Sequence, residues 1–260
     1  NEAFNITAIG TITPAQADII EAATNSGSNT YTVAGGGSDI NDTAANLVNY
    51  SAAVLNAAGT VTATTPATAA QATQLAAFEK AIVYSITDTA ANITSASGAG
   101  LNEAVNITAT TAATVVQRDV IEAANNSGAN TYDILDTAAN LAASVNPKLV
   151  TAQTVTAYSA ANQTQATVLA GFNKDVVYNV ADNAANFVGG VGLNDAVNIV
   201  SNDALTVAQR DIVFGATNSG TTTGAVTDTP AALIAAGDSK LNVTGVGVVT
   251  ANANANQTQA

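Results

Sequence analysis

Carboxylates are the main chemically able groups in this chain, and they recur. Asp42, Asp88, Asp136, Asp182 and Asp228 each open a short segment whose clearest copy is Asp-Thr-Ala-Ala-Asn-Leu at 136–141. Asn46, Asn92, Asn140 and Asn186 follow four residues after the first four aspartates; the fifth copy has Ala232 there and Pro230 in the first turn. Repeated carboxylate–amide pairs could hold calcium or a polar ligand. Calcium, however, wants six to eight oxygens around one ion, and one Asp per repeat does not gather them. Asp39 with Asp42 and Asp133 with Asp136 come closer, but neither pair continues into an EF-hand pattern. The preferred reading is structural. Asp is placed as a helix N-cap, where a carboxylate accepts orphan amide hydrogens. Asn is placed as a ladder satisfying backbone groups between neighbouring repeats. Calcium is the alternative.

Other chemistry fails on composition. The chain has no His, Cys, Met or Trp. Ser-His-Asp and Cys-His arrangements and ordinary zinc sites are therefore excluded. Paired carboxylates could hydrolyse glycosides, but acids that recur with a repeat do not make one unique constellation. Gly189-Gly190-Val191-Gly192 and Gly245-Val246-Gly247 lack the Lys and helix start of a phosphate loop, and read as turns. The sequons at Asn5, Asn106 and Asn162 are expected in so Asn- and Thr-rich a chain. Tyr84, Tyr132 and Tyr178 stand four residues before their Asp. They read as a packed column with bonded hydroxyls, with an exposed carbohydrate-binding stripe as the alternative. No catalytic, cofactor-binding or metal residue is assigned.

The 260 residues carry a net charge of −13. That argues against nucleic acid, whose binding needs Lys and Arg, and against anionic membrane. Hydrophobic content is 47 %, with only 4 % aromatic. Such a core is thin, with backbones packed close over small side chains. No run of some 20 apolar residues spans a membrane. The lack of both Cys and Met removes the readily oxidised side chains, which suits an extracellular location.

Successive copies of the leading aspartate lie 46, 48, 46 and 46 residues apart, the signature of a repeat architecture. Each unit of about 46 residues reads as strand, helix, strand and Asp segment. Alternating stretches at Phe4–Thr7, Val61–Thr64, Val105–Thr108, Val155–Tyr158 and Val197–Val200 predict the first strand, and Tyr132–Leu135 the second. Over Thr114–Asn125 the spacing of Val116, Val120, Ile121 and Ala124 predicts one helix face, with Arg118 and Glu122 paired on the outer face. Gly27, Gly128 and Gly220 are expected in the left-handed conformation past a helix end. The units run 1–54, 55–101, 102–147, 148–193 and 194–240, with a partial unit at 241–260, as one continuous array. An insertion is expected near Gly35-Gly36-Gly37.

Strand and helix alternating every 23 residues or so predict an α/β repeat. The expected fold is an elongated solenoid, with a parallel β-sheet and helices on its back. A wider turn with two sheets is the alternative. Phe4 and Ile6 are expected in core positions, and Gln257–Ala260 to begin a helix. Neither end resembles a polar cap, so the piece is expected to continue into like repeats or to stack end to end.

With these motifs laid out, the chain resembles the tandem repeats of very large secreted or cell-surface bacterial proteins of adhesin-like, surface-layer-like or sheath-like type. The resemblance implies a non-enzymatic, structural or adhesive role outside the cell and offers no catalytic residues. The expected partners are like repeats; an adhesin would instead use a Thr, Asn and Tyr face to hold surface glycans.

Overall fold

The computed structural model describes residues 3–12, 14–33, 39–144 and 149–254. Gly35–Gly37, Asn1, Glu2 and Gln257–Ala260, where an insertion, the opening of the first repeat and a helix start were expected, lie outside the described residues. The chain divides into two compact units, Asn1–Tyr132 and Asp133–Ala260.

The first unit runs β1 (Ile6–Ile12), α1 (Pro14–Glu21), β2 (Asn29–Val33), β3 (Ile40–Asp42), α2 (Ala44–Leu47), α3 (Ala52–Ala57), β4 (Val61–Ala63) and α4 (Ala69–Leu75). It continues through β5 (Ile82–Val83), β6 (Ile86–Asp88), α5 (Ala90–Ile93), α6 (Gly98–Asn102), β7 (Ile107–Ala109), α7 (Val115–Glu122) and β8 (Asn130–Thr131). Its sheets are β1-β2, β3-β4-β5 and β6-β7-β8. Every pairing is parallel. Ile40 lies opposite Val61 and Val61 opposite Ile82, a step of 21 residues each time. Ile86 faces Ile107, also 21 on, and Ile107 faces Asn130, 23 on. Within each sheet consecutive strands are therefore neighbours, as a helical crossover allows. Isolated parallel bridges, Ala67 with Ile86, Ala161 with Val180 and Leu205 with Val226, add a second point of pairing after β4, β10 and β12.

The second unit comprises β9 (Ile134–Asp136), α8 (Ala138–Ala143), β10 (Val155–Ala157), α9 (Gln163–Ala170), β11 (Val180–Asp182), a 3-10 turn at Ala184–Asn186 and β12 (Ile199–Ser201). Then come α10 (Val207–Phe214), β13 (Thr222–Asp228), α11 (Pro230–Ala236), α12 (Asp238–Leu241) and β14 (Val246–Ala251). It holds a two-stranded sheet, β10-β9, and a four-stranded sheet, β11-β12-β13-β14, again wholly parallel.

Strands of three residues need tertiary support, and the core supplies it in rows. The leading residue of most strands points inward: Val61, Ile86, Ile107, Ile134, Val155, Val180 and Ile199 are buried. Opposite them lie the helical segments, whose first alanine and fourth residue are buried: Ala44 with Leu47, Ala90 with Ile93, Ala138 with Leu141. Three residues apart on a helix is one face. The second alanine of each copy is exposed, so only one of the pair packs. Several strands begin two residues later than their alternation suggests. Ile107, not Val105, opens β7, although the Val105 N–H still donates to the Tyr84 carbonyl of the neighbouring turn of chain at 2.7 Å. Phe4 is 70 % exposed and is no core residue; it precedes β1 rather than forming part of it.

The helix over 115–122 also differs from its apolar pattern. Its buried residues are Arg118 and Ile121, whereas Val116 is 72 % exposed. Arg118 is 1 % exposed and pairs through Nη1 with Asp119 at 3.1 Å, not with Glu122. The same helix position holds buried Ala17, Ala72 and Ala166 in other copies, and Arg210 in the last. One register thus takes either a methyl group or a guanidinium, and hydropathy alone pointed to the wrong face.

Glycines serve by close approach. Gly128 and Gly220 are not left-handed, and neither is Gly27; α7 has already ended at Glu122. A Cβ at Gly220 would lie 2.5 Å from Asn198 Oδ1 and 2.6 Å from the Val197 carbonyl. Gly192 is left-handed, with φ 81°, and its backbone presses on Ala166 of α9. Gly192→Ala should therefore destabilise the chain by about 2–5 kcal/mol through strained φ and backbone overlap. Gly189→Ala, with nothing within 4 Å, should change it by less than about 0.5 kcal/mol. Urea denaturation of both variants checks this.

Candidate functional site

The recurring aspartates do not cap their own helices. Thr43, Thr89, Thr137 and Thr229 are the N-caps, each accepting from the amide three residues on. Asp42, Asp88, Asp136, Asp182 and Asp228 are instead the last residues of β3, β6, β9, β11 and β13. The expected N-cap shifts by one residue because the aspartate completes the strand ladder, leaving the hydroxyl beside the free helix amides.

The carboxylate has two tasks. In Asp88, Oδ1 accepts from the Thr89 amide and from Asn92 Nδ2, both at 2.8 Å. Its Oδ2 accepts from the Ala69 amide at 3.0 Å, the first N–H of α4, 19 residues back along the chain. Asp182 repeats this with Asn183, Asn186 and the Gln163 amide. Asp228 takes the Thr229 amide and the Val207 amide at the start of α10. In Asp42, Oδ2 takes the Tyr50 hydroxyl at 2.8 Å. Asn46, Asn92, Asn140 and Asn186 therefore donate to their own Asp, rather than forming the expected ladder between repeats.

A second set of groups straps in the opposite direction. The Ala44 amide donates to Thr65 Oγ1, Ala90 to Thr111 Oγ1 and Ala138 to Ser159 Oγ, each 21 residues on. The Ala184 amide donates to Asp203 Oδ1. Asparagine does bridge neighbouring turns of chain, but in other columns. Asn106 Oδ1 accepts the Ala129 amide and Asn198 Oδ1 the Thr221 amide. Asn126 Nδ2 donates to the Val105 carbonyl and Asn218 Nδ2 to Val197. Their visible signal was the recurrence of Asn-Ile-Thr and Asn-Ser-Gly. Asn106, which stood out as a sequon, is thus a strut.

These contacts set the titration of the acids. Asn46 and Tyr50 hold the Asp42 carboxyl below its ordinary value, with the Thr43 amide assisting. At Asp182 partial burial pushes the carboxyl up, but the Gln163 amide, Asn186 and the Asn183 amide together outweigh it and leave it lowered. Asp39 is lowered by the Thr60 hydroxyl and amide. Asp133 makes the matching pair of bonds to Thr154. The two acids nearest to a calcium pattern are thus engaged with the neighbouring strand, and no group of three or more acidic side chains suited to a metal ion occurs among the described residues.

Tyr84, Tyr132 and Tyr178 are 1–2 % exposed. Their hydroxyls donate to the Gly100 carbonyl, Glu122 Oε1 and the Gly192 carbonyl at 2.7–2.8 Å. Burial, and then the nearby charges of Glu103 and Asp195, push Tyr84 and Tyr178 up to about 12. The column is a packed one and presents no aromatic stripe. The outward residues of the strands are mixed. Thr87, Thr108 and Thr131 are in register and half-buried, while Val83, Leu135, Val177 and Val200 are 41–50 % exposed. No described helix is long and apolar enough to cross a membrane. No family model matches the chain, and neither the curated proteins nor the solved structures give a match.

Asp182→Asn should cost about 1–3 kcal/mol at pH 7, the scale of hydrogen bonds to a charged group. Because the folded carboxyls are lowered, their contribution is full above the ordinary value near 3.9 and is lost as pH falls through the lowered values. Wild-type stability should hold from pH 7 to about 5 and fall below about pH 4, with a shallower fall in Asp182→Asn; denaturation curves across pH check both. A chelator should leave the melting temperature unchanged. A drop of several degrees would place an ion at Asp39 and Asp42 or at Asp133 and Asp136.

Proposed function

We propose that this chain is a non-enzymatic structural repeat module of the bacterial cell surface or of an extracellular filament or sheath. In this reading the parallel sheets and helices are parts of an elongated α/β solenoid, with a repeat of about 46 residues formed by two strand–helix turns. The module works by continuing into, or stacking on, like repeats. The observation that carries the reading is the carboxylate of Asp88, Asp182 and Asp228 at the ends of β6, β11 and β13, bonded on one side to its own turn and on the other to a helix start 19 or 21 residues away. Such groups serve to join one turn of chain to the next. The side chains that could bind or react are mostly engaged in this way, and the lack of Cys and Met suits an oxidising exterior.

A second reading is an adhesin-type module that holds surface glycans. Its support is the in-register row Thr87, Thr108 and Thr131, whose hydroxyls recur at the spacing of strands, about 4.8 Å. The buried tyrosines weigh against it.

Small-angle scattering with light scattering on residues 1–260 tests the structural reading. It expects a rod-like profile and a mass that rises with concentration or chain continuation. A compact sphere, monomeric at every concentration, would overturn it. Retention on a glycan array, abolished by Thr108→Ala without loss of stability, would favour the second reading.

A further inference from the structure

Five joints in the chain have the same form: a strand that ends in aspartate pairs with the strand that follows it. They are β3 to β4, β6 to β7, β9 to β10, β11 to β12 and β13 to β14. Four of them carry two side-chain ties. The first tie runs from the amide two residues after the aspartate to an oxygen on the next turn of chain. It joins Ala44 to Thr65, Ala90 to Thr111, Ala138 to Ser159 and Ala184 to Asp203. The second tie starts three residues before the aspartate. Thr60 donates to Asp39, Asn106 to Ser85, Thr154 to Asp133 and Asn198 to Asn179.

The joint between β13 and β14 is built differently. Pro230 stands at the amide of the first tie and Ala253 at its oxygen. Ala225 and Val248 stand at the two ends of the second. Both halves of both ties are therefore gone. Losing one half would leave a polar group without its partner; losing both leaves no such penalty, and no hold either. What remains is backbone pairing, with a register shift between Gly224 and Val226, and one ion pair. Lys240 Nζ lies 2.6 Å from Asp211 Oδ2 on α10, and both side chains are partly exposed, where such a pair contributes little. The segment that carries β14 joins α11 at Gly237. That residue has φ 72°, and a Cβ there would meet nothing within 4 Å. Beyond it, α12 buries no residue.

We propose that α12 and β14, residues 238–251, form a flap that swings as one piece about Gly237 while β11, β12 and β13 stay folded, with the Lys240–Asp211 ion pair as its latch. Segments with few buried contacts are the ones that open locally. Closed, the flap covers one edge of the seven-residue strand β13. Open, it bares backbone groups that can pair with another strand.

Amide hydrogen exchange of the full chain, followed by NMR, tests the flap. Residues 246–251 should exchange about tenfold or more faster than 199–201. Within β13 the two edges should separate. The Gly224 amide, which donates to the Gly245 carbonyl, should exchange with the flap, and the Thr227 amide, which donates to the Leu205 carbonyl, should stay slow. Lys240→Ala should speed exchange over 246–251 about two- to fivefold and leave 199–201 unchanged. Two double variants restore a tie. Pro230→Ala with Ala253→Ser copies Ala138 and Ser159, and Ala225→Asp with Val248→Thr copies Asp133 and Thr154. Either should slow exchange over 246–251 about two- to tenfold. Exchange over 246–251 as slow as over 199–201, exchange of Thr227 as fast as that of Gly224, no response to Lys240→Ala, or no slowing in either double variant would overturn the proposal.

Discussion

A carboxylate with two faces holds this structure together. One oxygen of Asp88 and Asp182 organises its own turn, accepting from the next amide and from the asparagine four residues on. The other accepts the first free N–H of a helix that began 19 residues earlier. Helix starts leave amides without partners, and strand ends leave the chain to turn. One residue meets both needs. Asp228 shows the limit of the device. With Ala232 in place of asparagine it keeps two amides, and Pro230 removes one N–H that would otherwise need a partner.

Around that centre, polar side chains do what large apolar ones do elsewhere. The buried residues are mostly Ala, Val, Leu and Ile, and several contacts are backbone on backbone, as at Gly100 against Ala72. A thin core offers little shape to fix register. Asn106, Asn126, Asn198 and Asn218 fix it instead, by bonding amides and carbonyls one turn of chain away. Two of the scarce lysines are used likewise, Lys80 and Lys174 each ending on a backbone carbonyl. Arg118 is the exception. It is buried, and among the described residues its guanidinium pairs with Asp119.

Periodicity made much of the architecture legible. Alternation at Val105–Thr108 and Tyr132–Leu135, separated by helical spacing, was enough to expect parallel pairing of consecutive strands. The spacing of Asp42, Asp88, Asp136, Asp182 and Asp228 identified the residues that matter most. Their role was not legible, because capping by Asp and capping by the following Thr look alike in a sequence, and only the ladder register decides. The face of α7 was misplaced because Val116 and Val120 outscore Arg118 in hydropathy, while the buried register is set by the alanines of the other copies. Gly128 and Gly220 look like helix-end residues, but close backbone approach is a tertiary fact that no local spacing records.

The register of the strands bears on how such a chain reaches its fold. Partners lie 19 to 23 residues apart in the second unit's four-stranded sheet and 21 or 23 apart in the first unit's three-stranded sheets. Closing loops of that length costs little entropy, and folding speeds up as contacts become local in sequence. Parallel sheets are ordinarily slow to form because their strands must wait for distant segments. Here each strand meets its partner as soon as the next twenty or so residues follow it. A segment arriving in order, from one end, can therefore add to structure already formed, without holding a long unpaired stretch in reserve.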